Sequence, residues 1–211
     1  MRLEYDENQR DLARALRAKL AGTDPDDVRD CLAELDVYAI ETSLRLGLGL
    51  GVVVCEELGR HAARDDYRER TGGDRTGEWL RQAAYLLGLA AGAHRLAVRR
   101  AFRRRQFGQA LADRQAIAFP LAAQFAQLEA VRLLVHRAAW LADHGEDAGQ
   151  AAARALAYAA EQALEVTAWA VHVHGAYGLT RHAPVHRYYE LALQEATHYG
   201  DPARLWQIAG P

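Results

Sequence analysis

Apolar residues recur along this chain at intervals of three and four, the spacing of one face of an α-helix. Leu12, Leu16 and Leu20 form the first such stripe. Asp6 or Asn8 is placed to cap a helix running to about residue 20, and Gly22 ends it. Thr23, Asp24 and Pro25 combine a capping side chain with a proline near a first turn. They predict a second helix over 26–39, with Val28, Leu32 and Leu35 inward. The three glycines within 47–51 predict a connector leading into the apolar run that ends at Arg60.

From Glu78 onward the pattern lengthens. Residues 79–104 are almost free of helix breakers until Gln106-Phe107-Gly108 interrupts them. A third long helix is predicted from Asp113 or Arg114 to Asp143, with Phe119 and then Leu121, Phe125, Leu128, Val131 and Val135 at three and four. Pro120 falls near its first turns, where a missing donor costs little. A fourth covers 150–174 and is rich in alanine. Two shorter ones, around 183–197 and 203–209, follow the turn Gly175-Ala176-Tyr177-Gly178. No stretch alternates with the period of two that a strand requires, so the fold class expected is all-α.

Charge interrupts the pattern once. His61 to Arg70 is crowded with charged residues, and Thr71-Gly72-Gly73-Asp74 reads as a turn. The organisation expected is therefore a helical region over 1–60, a linker over 61–77 and a four-helix domain over 78–211.

Composition narrows the chemistry. The 211 residues carry a formal net charge of −2, far from the basic excess of a dedicated nucleic-acid binder. Two cysteines, Cys31 and Cys55, cannot build a disulfide framework. The longest apolar run, 46–55, falls short of the ~20 residues that span a bilayer. With a charged N-terminus, this predicts a soluble cytoplasmic protein without a membrane partner. His172 and His174 are two apart and face different sides of a helix, so no metal site is expected.

Four stretches together resemble the acyl-CoA dehydrogenase family. Arg104-Arg105-Gln106-Phe107-Gly108 is similar to its Arg-x-x-Phe-Gly motif. Glu129 to Leu134, with Ala138-Ala139-Trp140 and Asp143-His144-Gly145, is similar to its next helix. His174 to Arg181, with Pro184 and Arg187-Tyr188-Tyr189, is similar to its glycine turn and the helix after it. Cys55-Glu56-Glu57-Leu58-Gly59-Arg60 is similar to a helix end in its N-terminal domain. The resemblance implies an acyl-CoA dehydrogenase-like helical bundle. Family members place a β domain between the two helical parts, and the stretch from Arg60 to Glu78 is too short to hold one.

The resemblance assigns FAD contacts to Arg104, Phe107, His172 and Gly175, where His172 replaces the family's glutamine and Ala176 its second glycine. With no middle domain to wall the flavin ring, these contacts are expected to be vestigial. The catalytic base of many members maps onto Tyr199, a phenol of reference pKa ~10. That of a minority maps onto Glu78, which is also placed as a helix N-terminal charge. Trp79, Tyr85 and Tyr177 are candidate walls of a substrate pocket.

The expectation is a flavin-independent enzyme of polyketide-type natural-product biosynthesis. It would cyclise, rearrange or isomerise a hydrophobic acyl substrate, with Glu78 and Tyr199 as acid and base and no cofactor. The alternatives are an FAD-dependent subunit working with a partner chain, or a non-catalytic interaction protein. A homodimer is expected from the family's habit.

Overall fold

Capping explains where the first helix starts. In the computed structural model, which describes residues 6–40, 47–70 and 73–210, the Asp6 carboxylate accepts from the Gln9 amide and the Gln9 side chain accepts from the Asp6 amide. This reciprocal box opens α1 (Glu7–Leu20), whose Ala13, Leu16 and Leu20 are buried. The predicted second helix is two short pieces, α2 (Arg29–Glu34) and α3 (Val37–Ile40), parted at Asp36 with φ 54°.

The glycine-rich stretch is helical, contrary to the connector expected. It forms the first turns of α4 (Gly47–Arg60), and the cap comes from another helix. The Asp143 carboxylate accepts from the Leu48 amide at 2.7 Å and the Gly49 amide at 2.8 Å. A Cβ on Gly47 would sit 2.6 Å from that carboxylate, so glycine makes room for the capping group.

Within 61–77, Ala62, Ala63 and Tyr67 are buried, and α5 (Tyr67–Arg70) forms one turn. Thr71 and Gly72 of the expected turn lie outside the described residues. Asp74 caps α6 (Arg75–Arg103) by accepting from the Gly77 amide at 2.9 Å.

A two-stranded hairpin, β1 (Arg105–Gln106) and β2 (Gln109–Ala110), follows α6. Then come α7 (Gln115–Asp143), α8 (Gly149–His174), α9 (Pro184–Glu195) and α10 (Pro202–Ala209). By length and composition α7 is apolar enough to cross a membrane; here α4, α6 and α8 pack on it.

The bundle of α6 to α9 alternates in direction. Gln82 meets Glu195 while Gly92 meets Tyr188, which sets α9 antiparallel to α6. On α8, Ala152, Ala155, Ala159 and Ala163 are all buried, and these short side chains let it lie close along α6. Closest of all is the crossing of α4 on α6. A Cβ on Gly59 would fall 2.0 Å from the Tyr85 carbonyl oxygen, and one on Gly88 2.1 Å from that of Glu56. The two helical regions therefore share one hydrophobic core.

Candidate functional site

Glu78 lies one turn into α6. Because Asp74 already caps this helix, the Glu78 carboxylate is not needed there and lines a cavity instead. The cavity holds about 250 Å³ between the start of α6 and the segment from Tyr199 into α10. Arg75, Glu78, Trp79, Tyr199, Asp201 and Arg204 border it, with Leu205 and Ile208 on the α10 side. Three residues expected from the sequence, Glu78, Tyr199 and Trp79, are thus brought together although 120 residues part the first two in the chain.

Their electrostatics separate their roles. Burial and the neighbouring Glu78 charge push the Tyr199 phenol above its usual value. At neutral pH it is a hydrogen-bond donor, not a base. The carboxylate is the only group of this pair able to accept a proton.

Behind Tyr199 a buried polar network fills the interior. Arg68 donates to the Glu195 carboxylate at 2.8 Å and to the Gln82 side chain, and its guanidinium stacks 3.9 Å from the Tyr85 ring centre. Gln82 in turn donates to the Glu195 carbonyl at 2.8 Å. Burial works against the Glu195 charge, but Arg68 and Gln82 hold its carboxyl below the usual range. Sequence reasoning missed this network, since Arg68 sits in the segment read as a linker. Tyr85, expected as a pocket wall, is a core residue: it is 1% exposed and donates to the Ala63 carbonyl at 2.6 Å. Burial pushes its phenol up.

The remaining candidates are at the other end of α6. Glu78 and Arg104 are separated by 26 residues of helix, a rise of about 39 Å. Near Arg104, the end of α8 passes Arg100, whose charge acts on His174. His172 is exposed and stacked on Trp169, with ring centres 4.9 Å apart, and Gly175 ends α8 at φ 67° with open space around it. Tyr177, expected in the substrate pocket with Trp79, belongs to this far end and donates to the His182 carbonyl.

The hairpin at that end is strained. Phe107 and Gly108 both have positive φ, 52° and 81°, as a two-residue turn of the primed type demands. Asn-Gly is the favourable pair for such a turn, and a side chain like phenylalanine in that region costs roughly 1–2 kcal/mol. The ring is 91% exposed, with the Arg114 guanidinium 5.4 Å from its centre. Arg104 beside it is exposed and forms no ion pair among the described residues.

For FAD, the fit is one-sided. The free Arg104 guanidinium suits a diphosphate, and the open backbone at Gly108 and Gly175 leaves room for it. No sheet stands over Glu78 to hold an isoalloxazine ring; the described residues contain no strands beyond the hairpin.

Residues 77–203 match the family described as acyl-CoA dehydrogenase, C-terminal domain. Over 107 residues the chain is 43% identical to the caffeyl-CoA reductase-Etf complex subunit CarC of Acetobacterium woodii, covering 51% of this chain and 28% of that protein. It is 39% identical over 119 residues to a 3-(aryl)acrylate reductase of Clostridium sporogenes, covering 54% and 32% respectively. It thus spans less than a third of the length of these relatives. Butyryl-CoA dehydrogenase from Megasphaera elsdenii superposes with a TM-score of 0.62 at 32% identity, over 69% of this chain and 37% of that one. The Tcur3481-Tcur3483 steroid ACAD variant superposes at 0.84 over 97% of both chains; at 18% identity that likeness is one of fold. The helical bundle, its hairpin and the matched stretch agree: this chain belongs to the acyl-CoA dehydrogenase family, through its C-terminal helical domain.

Proposed function

We propose that the chain is one subunit of a flavin-dependent acyl-thioester oxidoreductase and shares its FAD site with a partner chain. The observation that carries this reading is the hairpin. A strained, solvent-facing Phe107 gains little within the bundle beyond a cation–π contact with Arg114, Arg104 beside it is unpaired, and backbone strain of this kind persists where another molecule uses it. Its distance from Glu78 means that one flavin cannot meet both ends of the same chain. Arg104 and Phe107 would reach the diphosphate of a flavin seated mainly on the partner, while Glu78 faces a site of its own.

The partner has to supply the ring-binding wall. A second copy would bring another Arg104 but no β domain between its helical parts, so a full-length member of the family is the fitting partner. The similarity to a subunit of an Etf complex and to two-electron reductases and dehydrogenases supports the same class. The cavity points that way too, because about 250 Å³ is below the ~300–1,000 Å³ usual for a complete small-molecule site.

In this arrangement Glu78 is too far from the flavin on Arg104 to act as its base; Glu78 and Tyr199 offer a carboxylate and a hydrogen-bond donor in a separate cavity. Trp79 and Leu205 keep the apolar side of the cavity dry. When bound, FAD supplies the hydride acceptor. The bundle-filling Arg68–Glu195 pair limits how deep an acyl chain can enter.

Co-expression with a full-length member of the family tests the proposal. The purified pair is expected to carry flavin, most of it lost in Arg104→Ala. Glu78→Gln is expected to keep both the flavin and its bleaching by acyl thioester, since that carboxylate lies about 39 Å along α6 from the hairpin. Turnover of an acyl substrate by the flavin-free chain alone, as a cyclase or isomerase, would overturn it. So would flavin retention that is indifferent to Arg104.

A further inference from the structure

Apart from the Glu78 cavity and the Arg104 hairpin, a further concavity combines an apolar floor with unneutralised charge. It is a groove of about 380 Å³ between α6 and α7, beside the end of α4. Ala91 and Val98 of α6 and Phe125 and Leu128 of α7 form its apolar part. Phe125 is 58% exposed, a large ring standing at the rim. Arg60 and Arg95 line both this groove and a smaller one of about 130 Å³, which Arg17, Glu57 and His61 share. The larger hollow is thus a trough with an apolar floor and a cationic edge at Arg60 and Arg95, which the smaller hollow shares.

Pairing of the charges leaves one over. Glu56, Glu57 and Glu129 are matched by Arg17, Arg60 and Arg132, three carboxylates against three guanidiniums. Arg95 is exposed, rests against the Tyr188 phenol and has no carboxylate partner among the described residues. His94 does not compete for a ligand through Nε2, which donates to the Leu121 carbonyl at 2.9 Å. An apolar hollow within the usual size range of small-molecule sites, with one uncompensated cation at its edge, complements an anion that carries a single apolar tail.

We propose that this trough binds an amphipathic anion, its alkyl chain along Ala91, Val98, Phe125 and Leu128 and its head group on Arg95. The site stands independently of the flavin reading, because none of its residues belongs to the Glu78 cavity or the hairpin.

Calorimetric titration of the full chain with decanoate, decyl phosphate and decanol tests it, the two anions telling a carboxylate head from a phosphate. One anion is expected to bind one to one, with decanol at least about tenfold weaker. Arg95→Ala is expected to weaken the anion about tenfold and leave decanol unchanged. Phe125→Ser, at an exposed position, is expected to weaken both while the fold, followed by circular dichroism, is kept. Glu78→Gln and Arg104→Ala are expected to bind the anion as the parent does. Equal affinity for decanol, indifference to Arg95→Ala, or absence of binding by both anions would overturn the proposal. Loss of binding in Glu78→Gln or Arg104→Ala would place the ligand elsewhere and overturn it as well.

Discussion

Glu56 is 1% exposed, a charge placed where an isolated carboxylate could not remain ionised. Burial presses its carboxyl upward, but His136, Arg132 and Arg60 outweigh it and hold the group well below the usual carboxylate range. Arg132 donates to it from Nη2 at 3.0 Å and from Nε at 3.2 Å, and so ties α7 to α4. The same carboxylate draws the Arg132 guanidinium upward. Replacing Glu56 with glutamine keeps the shape and leaves Arg60 and Arg132 short of a counter-charge. A loss of about 3 kcal/mol in urea unfolding is expected. Its pH dependence has a definite sign. The unfolded glutamate titrates near ~4.3, so the stabilisation is complete above about pH 5 and fades as pH falls from there toward the lower folded value. Glu56→Gln should flatten that part of the stability curve; an unchanged acid slope would mean that other carboxylates set it.

Glycine does unequal work in the elements that hold these residues. At Gly47 and Gly49 it admits a carboxylate, and Asp143 becomes the cap of a helix 94 residues away in sequence from Gly49. At Gly59 and Gly88 it admits a backbone, letting α4 and α6 cross at a separation that side chains would forbid. These atoms cannot rotate aside, because the Glu56 oxygen that a Cβ on Gly88 would strike belongs to the main chain. Gly88→Ala is therefore expected to lose about 3 kcal/mol or more, although alanine is the better helix former by ~1 kcal/mol. Denaturant midpoints of Gly88→Ala and Gly22→Ala make the comparison, since nothing lies within 4 Å of a Cβ on Gly22. Similar effects at the two positions would refute the crossing argument.

Across the whole molecule, the candidate site residues are divided between the ends of α6. One end carries the Glu78 cavity and the other carries the strained hairpin, about 39 Å away along the helix. On the proposed reading, stability and flavin binding respond with opposite signs at one residue. Phe107→Asn relaxes a turn that asparagine favours, so the melting free energy is expected to rise by about 1 kcal/mol. Flavin content of the complex with a partner is expected to fall in the same variant. A variant that gains stability and keeps its flavin would show that the ring is not used for binding.

The helical pattern, the near-complete extent of the long helices α6, α7 and α8, and the family resemblance were all legible in the chain, because periodicity and capping are local properties. Residue types at Arg104, Phe107, Glu78 and Tyr199 were legible too. Their grouping was legible in part: Glu78, Tyr199 and Trp79 meet, while Tyr85 and Tyr177, expected beside them, lie elsewhere. Tyr85 and Trp79 are both aromatic residues of α6, six positions apart, yet one is core and the other borders a cavity. Which face of a helix meets solvent depends on what packs against it, and here that is decided by α4, α9 and α10. The 47–51 stretch reads as a connector because its cap is supplied by Asp143 from α7, a partner invisible to any local window. By itself the sequence determined the long helices, and with them the distance between Glu78 and Arg104. Only the tertiary structure decided which of the expected residues meet, because the helix faces that α4, α9 and α10 cover are set by packing and not by any local pattern.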